Sequence, residues 1–212
     1  MRNDYTHIPI YHITHIDNLS LILQENGLWS DAQRMERGLT SKNIAHSALK
    51  ERRLNTQIPL LSGNTLGIYV PFYFCNRSPM LYSIHTESVD GYAGGQNEIV
   101  YLVSSVEQVV HHTNDWCFTD GHGVEAVTQF YANRNELCKI DWNVIDHWSW
   151  KNTQEDNDRK RRKQAEFLVK NFFPWSLIEK IGVYDNAYQG VVEKLLANGN
   201  YPKVNIEAKW YY

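Results

Sequence analysis

Long apolar runs are missing from this 212-residue chain, and with them any stretch that reads as a membrane span, which needs about 20 apolar residues. The N-terminus carries no secretory leader pattern. Cysteine is scarce: Cys75, Cys117 and Cys138 form an odd set with no C-x-x-C pair, so neither a disulfide framework nor a zinc knuckle is supported. A reducing cytoplasmic setting, with no membrane partner, is the simplest expectation. Several site signatures are also absent. There is no GxxxxGK[S/T] phosphate loop, no GxGxxG after a strand, no HExxH helix and no nucleophile elbow. His111 and His112 resemble a metal pair only by composition, being adjacent in sequence. A strand would point them to opposite faces, so no metal site is expected.

An excess of positive charge is missing too. The net charge is −3, which argues against a generally basic nucleic-acid coat. The distribution says more than the sum. Of the 21 Lys and Arg, five stand together as Arg159, Lys160, Arg161, Arg162 and Lys163; the other 16 face 24 Asp and Glu, a balance of −8. One positive patch on an acidic body guides a polyanion to one place. Five cations ahead of Glu166 are equally read as a solvated face with local salt bridges.

What is present is a globular composition, 42% hydrophobic and 13% aromatic. Residues 9–29 read as strand, turn and helix. Pro9–Thr14 is β-prone, Asp17 is the expected N-cap, Leu19, Ile22 and Leu23 repeat at helical spacing, and Gly27 is the expected stop. His12 and Thr14 lie two apart and share a strand face. Residues 30–66 are polar and weakly periodic, with a helix expected around Asn43–Arg53 whose terminal cations complement its dipole. The remainder of that segment reads as a ligand-covering loop.

Leu66–Phe74 alternates as a strand, and Asn76–Pro79 reads as a turn. Ile99–Val103 reads as a buried strand. Thr119–Gly123 is an expected turn leading into a helix that presents Val124, Val127, Phe130 and Tyr131. Residues 141–157 read as an exposed loop that continues through the basic run. Glu166–Val169 has the pattern of a half-buried strand with a carboxylate at its mouth. A strand near Ile181–Tyr184, a helix near Gly190–Ala197 and a strand near Val204–Trp210 complete the chain. With no repeat and no linker, one α+β domain over residues 1–212 is expected.

Three segments together resemble the ADP-ribosyltransferase fold of the His-Tyr-Glu kind. The first is Tyr11-His12-Ile13-Thr14 followed by Asn18-Leu19 and Gly27-Leu28. The second runs from Gly67-Ile68-Tyr69 through Tyr73-Phe74 and Ser78 to Tyr82, and the third is Glu166-Phe167-Leu168-Val169. Tyr-Val-Pro-Phe-Tyr-Phe at 69–74, Arg-Ser-Pro-Met-Leu-Tyr at 77–82, Thr-Asp-Gly-His at 119–122 and Arg-Lys-Gln-Ala-Glu-Phe-Leu-Val at 162–169 are similar to the DarT family of DNA ADP-ribosyltransferase toxins.

The resemblance implies a split, mostly antiparallel β core flanked by helices. It further implies NAD as co-substrate, single-stranded DNA with thymidine as acceptor, and a macrodomain antitoxin of the DarG kind. It assigns Glu166 to stabilising the positive charge that develops on the ribose. His12, Thr14, Tyr73, Ser78 and Tyr82 are assigned to NAD. Arg53 is assigned to the acceptor base, with Arg52 as the neighbouring alternative; an arginine stays protonated, so it orients or polarises the base. His122 would lie near that base, with a plain turn histidine as the alternative. Arg159, Lys160, Arg161, Arg162 and Lys163 would meet DNA phosphates. Residue chemistry alone also admits transfer to RNA or protein, a metal-free ribonuclease, or a non-catalytic nucleic-acid-binding module.

Overall fold

The computed structural model describes residues 7–60, 63–196 and 201–212. Its strands are β1 (Pro9–His15), β2 (Gly27–Trp29), β3 (Tyr69–Tyr73), β4 (Ile99–Ser105), β5 (Trp116–Thr119), β6 (Phe130–Tyr131), β7 (Glu166–Lys170), β8 (Phe172–Pro174), β9 (Lys180–Val183) and β10 (Lys203–Ile206). The helices are α1 (Leu19–Gln24), α2 (Asp31–Glu36), α3 (Ser47–Asn55), α4 (Pro79–His85), α5 (Val106–His112), α6 (Trp142–Asp146), α7 (Arg159–Lys163) and α8 (Asn186–Leu195). The result is an α+β fold. An eight-stranded sheet runs β10-β9-β4-β1-β3-β7-β5-β6, and β2-β8 form a second, small sheet. Every pairing is antiparallel except β9 with β10.

The large sheet is uneven along its width. β1 and β4 pair at seven positions, and β3 and β7 at five. Between β1 and β3 the register is the single pair Tyr11↔Tyr73. The cause lies in the sequence: Pro71, in the middle of β3, has no N–H to give to a ladder. Its carbonyl accepts instead from Nδ1 of the His12 side chain at 2.8 Å. The sheet is therefore split at this seam while the apolar core runs on beneath it, and the opening is where side chains rather than backbone meet.

Apolar packing holds each half. All seven residues of β4 are buried, as expected of a strand covered on both faces. Phe72, Phe167 and Phe173 are fully buried in the main core, each contributing about 2–3 kcal/mol relative to exposure. Tyr101 is also buried, and its hydroxyl donates to the carbonyls of Asn76 and Trp210 at 2.7 and 3.1 Å, tying the C-terminal segment to the sheet.

Several expectations need correction. The 3₁₀ turn Ile16–Asn18 precedes α1, and His15 rather than Asp17 caps it, with Nδ1 accepting from the Asp17 N–H. Gly27 does not end α1. Asn26 takes the left-handed conformation, and Gly27 opens β2, where a Cβ would come 2.3 Å from the Phe173 carbonyl. Residues 124–131 are not a helix: Phe130 and Tyr131 form β6, paired with Thr119 and Phe118. His111 and His112 end a helix rather than lie on a strand. The stretch 141–163 is not one loop, because it contains α6 and α7. The expected last helix starts earlier, at Asn186, and its expected end at Ala197 lies outside the described residues.

Candidate active site

Glu166 opens β7 opposite Tyr73 of β3 and is only 2% exposed. A buried carboxylate survives only when paired and hydrogen-bonded. Arg53 Nη1, from the last turn of α3, reaches both carboxylate oxygens at 3.1 and 2.8 Å. The Gly123 N–H donates to Oε1 at 3.0 Å. The Glu166 N–H donates to Thr119 Oγ1 at 2.9 Å, so the Thr119–Gly123 turn holds both ends of the residue. Burial disfavours the Arg53 charge, but the adjacent Glu166 carboxylate outweighs it and raises the guanidinium pKa. Arg53 Nη2 is buried without a hydrogen-bond partner, a donor unused by the protein.

Two cavities converge here. The inner one, about 160 Å³, extends from Glu166 and Arg53 past the β1–β3 seam; His12, Thr14, Asn18, Asp31, Arg34 and Lys50 are among its lining residues. The outer groove, about 520 Å³, runs past Trp150, Asn152, Lys160 and Gln164. Ala45, Leu49, Tyr73, Met80 and His122 line both. Burial, then the Glu166 charge, raises the Tyr73 pKa, which keeps its hydroxyl protonated. Desolvation lowers the pKa of His12 and of His122, so both are neutral near pH 7. Because a carbonyl only accepts, His12 carries its proton on Nδ1 and presents Nε2 as an acceptor.

Of the sequence-expected residues, the structure brings together His12, Thr14, Arg53, Tyr73, His122 and Glu166. Arg52 is separate: its side chain is 55% exposed and donates to the Val124 carbonyl at 2.7 Å. Ser78 and Tyr82 line neither cavity. Ser78 caps α4 by accepting from the Leu81 N–H at 3.1 Å, with Pro79 at the first helical position. The Ser-Pro pair was the available signal for this. Tyr82 packs its ring against Trp150 and Tyr212, in an aromatic cluster built by the C-terminus.

The basic run also differs from expectation. It forms a helix, and four of its five cations have protein partners. Arg159 bonds Asp156 at 3.2 Å; Arg161 bonds Asp158 and Asp120; Arg162 bonds Asp141 and Asp156. Lys163 is 2% exposed and donates to the carbonyls of Ile145 and His147 at 2.7 and 2.5 Å, which removes it from any phosphate surface. Among the described residues Lys160 is the one of the five whose side chain makes neither an ion pair nor a hydrogen bond; its ammonium lies 5.6 Å from the Trp150 ring centroid, in the outer groove.

Residues not singled out from the sequence complete the site. Asn18 donates to Thr14 Oγ1 and to the Lys42 carbonyl, both at 3.0 Å, and accepts from the Lys42 N–H at 2.7 Å. It thereby ties the segment after α2 to β1. Met80 forms part of the shared wall, while Thr119 and Gly123 fix Glu166. Nothing in local spacing marks Asn18 as a bridge to residue 42.

A split sheet, with a strand histidine and hydroxyl on one side of the seam and a strand-end glutamate facing a tyrosine on the other, defines an ADP-ribosyltransferase. The particular family follows from comparison with known proteins. The family model for DarT, the ssDNA thymidine ADP-ribosyltransferase, matches residues 11–212, and the chain belongs to that family. A DNA ADP-ribosyl transferase of Thermus aquaticus is 42% identical over 206 residues, covering 96% of this chain and 88% of that protein. The structure of Thermus sp. 2.9 DarT in complex with ADP-ribosylated ssDNA superposes with a TM-score of 0.89 at 41% identity, covering 97% of this chain and 96% of that one. The same protein in complex with NAD+ gives 0.84 at 39% identity, covering 97% and 98%. A transferase–glycohydrolase fusion protein of Thermosipho africanus is 29% identical over 196 residues, 92% of this chain and 47% of the fusion.

Proposed function

We propose that this chain, acting as a single catalytic domain over residues 1–212, transfers ADP-ribose from NAD to thymidine in single-stranded DNA and releases nicotinamide. The observation that carries the reading is the convergence of two cavities on Tyr73, Met80 and His122, with Glu166 and Arg53 at the end of the inner one. One cavity suits the donor and the other the acceptor strand.

The bond broken joins the nicotinamide ring nitrogen to the ribose anomeric carbon, and the bond formed joins that carbon to a base nitrogen, whose proton passes to solvent as neutral nicotinamide leaves. Glu166, fixed by Gly123 and Arg53, offers negative charge where the ribose becomes positive. His12 Nε2 accepts from a ribose hydroxyl, and Thr14, held by Asn18, supplies a second hydroxyl contact. Tyr73 packs beside the nicotinamide. The free Arg53 Nη2 reaches toward the base and polarises it. The acidic body and the partnered cations leave Lys160 as the cation best placed for the DNA backbone.

A base in a duplex must be extruded at a cost of a few kcal/mol, which favours a strand that is already single. The toxin class of the family, and the joining of transferase to glycohydrolase in the Thermosipho africanus relative, imply control by a macrodomain antitoxin of the DarG kind. No helix among the described residues is long and apolar enough to cross a membrane; a cytoplasmic site of action follows from the DNA substrate.

Incubation with labelled NAD and, separately, single-stranded DNA, duplex DNA, RNA and protein tests the assignment. Label on thymine of the single strand is expected, read by mass spectrometry. Equal labelling of the duplex overturns the access argument, guanine labelling overturns the base, and NAD-independent strand cleavage overturns the reaction class.

A further inference from the structure

Arg161 stands in the middle of the basic run, yet its guanidinium is turned inward and only 14% exposed. Nε and Nη2 grip the two oxygens of Asp158 at 2.8 and 2.7 Å. Nη1 reaches Asp120 Oδ1 at 2.9 Å and Thr128 Oγ1 at 3.2 Å. Asp158 is shared with Arg162, whose Nε lies 3.5 Å from Oδ2, and four of the five Arg161 N–H groups are already engaged, so little of this charge is offered to a phosphate.

The same residue encloses the turn beside Glu166. The His122 N–H donates to the Arg161 carbonyl at 3.0 Å. The Thr128 hydroxyl donates to the His122 carbonyl at 2.8 Å while accepting from Arg161. Both backbone groups of His122 are thus tied to Arg161, one directly and one through Thr128. Gly121 lies flat on the arginine, where a Cβ would come 2.2 Å from Nη1. The next N–H along, that of Gly123, is the one that bonds the Glu166 carboxylate.

We propose that Arg161 is a positioning residue of the transfer reaction: it holds the Gly121–Gly123 turn so that Gly123 stays on Glu166 and His122 stays between the two cavities. The inference rests on the function proposed above and divides the basic run, with Lys160 serving the acceptor strand and Arg161 serving the catalytic geometry. A planar fork is required, because a single ammonium does not span Asp158, Asp120 and Thr128 at once.

The test compares the parent with Arg161→Lys, Arg161→Gln and Thr128→Val. Transfer to a thymidine oligonucleotide is measured for kcat and KM, DNA binding is measured across a salt series, and rates are taken per folded molecule. Both Arg161 variants should lose about a hundredfold in kcat, the scale of a small misplacement in a site. The oligonucleotide KM and the salt slope should stay at parental values, and Lys should not rescue. Thr128→Val, nearly unchanged in size, removes both hydroxyl bonds and should lose about tenfold, the equivalent of about 1.4 kcal/mol.

A phosphate contact gives the reverse: the slope falls by ~0.7, kcat at saturating DNA holds, and Lys rescues. That result overturns the proposal, as does a merely lower melting temperature with parental kcat per folded molecule. If the Arg161 variants do not fold, parental kcat in Thr128→Val overturns it alone. A parent that leaves DNA unlabelled sinks the functional reading and this proposal together; a parent that labels DNA beside a Lys-rescued variant sinks only the proposal.

Discussion

Two basic runs, one closing a helix and one forming a helix of its own, have opposite fates. Lys50, Arg52 and Arg53 close α3; Arg159 to Lys163 form α7. By sequence both read as cations complementing a helix dipole or a solvated face. In the α3 run, the decisive partner is remote: Arg53 meets Glu166, 113 positions along the chain, at the mouth of two cavities. In the α7 run the nearest partners are local, with Asp156 and Asp158 placed just ahead of the cations they bind. Asp120 and Asp141 add remote partners to Arg161 and Arg162, so the α7 cations are largely consumed in structure, whereas Arg53 meets its carboxylate at the cavity end and keeps one N–H group unused.

Replacing the remote partner should have the largest effect. Glu166→Gln keeps the shape and removes the charge, so transfer should fall by roughly two to three orders of magnitude with NAD binding little changed. Activity within a few-fold of the parent removes Glu166 from the transition state. Next comes Arg53→Ala, which should abolish most transfer and also cost about 3 kcal/mol of stability, because a buried carboxylate loses its counter-charge. Adding Glu166→Gln to that variant should restore the stability and not the activity. Arg52→Ala, losing one bond to a carbonyl on an exposed side chain, should matter less on both readouts. A reversed ranking of the two arginines would mean that the exposed one, and not the buried one, serves the site.

Within α7 the expected effects are smaller and separate an inward cation from an outward one. Lys163→Met leaves the carbonyls of Ile145 and His147 without their donor and should lower stability by about 2 kcal/mol, while DNA binding per folded molecule is unchanged. Lys160→Ala should leave the melting temperature alone and reduce the salt slope of DNA binding by ~0.7. If Lys163 carries the salt dependence and Lys160 the stability, the assignment of inward and outward cations is wrong.

What was legible in the chain followed from local patterning. β1, β4, β7 and β9 announce themselves as short apolar or alternating runs, and the His12/Thr14 pair shares a face because strand geometry requires it. The misses arose where side chains override spacing. Val124, Val127, Phe130 and Tyr131 mimic a helical face, but Asp120 and Thr128 bond the turn, and β5 captures Phe130 and Tyr131 as a strand. Tyr82 has the sequence position of a ring-stacking residue, yet Trp150 and Tyr212, 68 and 130 residues away, draw it into their own cluster. Arg53 and Glu166 were placed in one site only by family resemblance, and their direct pairing was not legible at all, since no local rule links α3 to β7. The seam itself had a visible cause, the proline at 71, but its meaning required knowing which strand lay beside it.

The smallest expected effect is on pH dependence, and it tests whether the seam and the shared wall are as dry as their geometry implies. Burial lowers the pKa of His12, against the raising influence of the Pro71 carbonyl and Asp31, with Arg34 and Lys50 also lowering it. Burial likewise lowers that of His122, with Glu166 and Glu125 pulling it up and Arg53 and Arg52 pushing it down. Below about pH 6.5 the unfolded chain protonates these rings before the native protein does. Their contribution to stability is therefore complete above that pH and is lost as pH falls toward the depressed native values, at no more than about 1.4 kcal/mol per pH unit for each histidine. Protonation would also remove the Nε2 acceptor that His12 offers. Melting temperatures recorded from about pH 8 down to about pH 5 should decline for the parent, and less steeply for His12→Asn and His122→Gln. Parallel curves for all three would mean that water reaches both rings, and the seam would then be an open surface instead of a closed pocket.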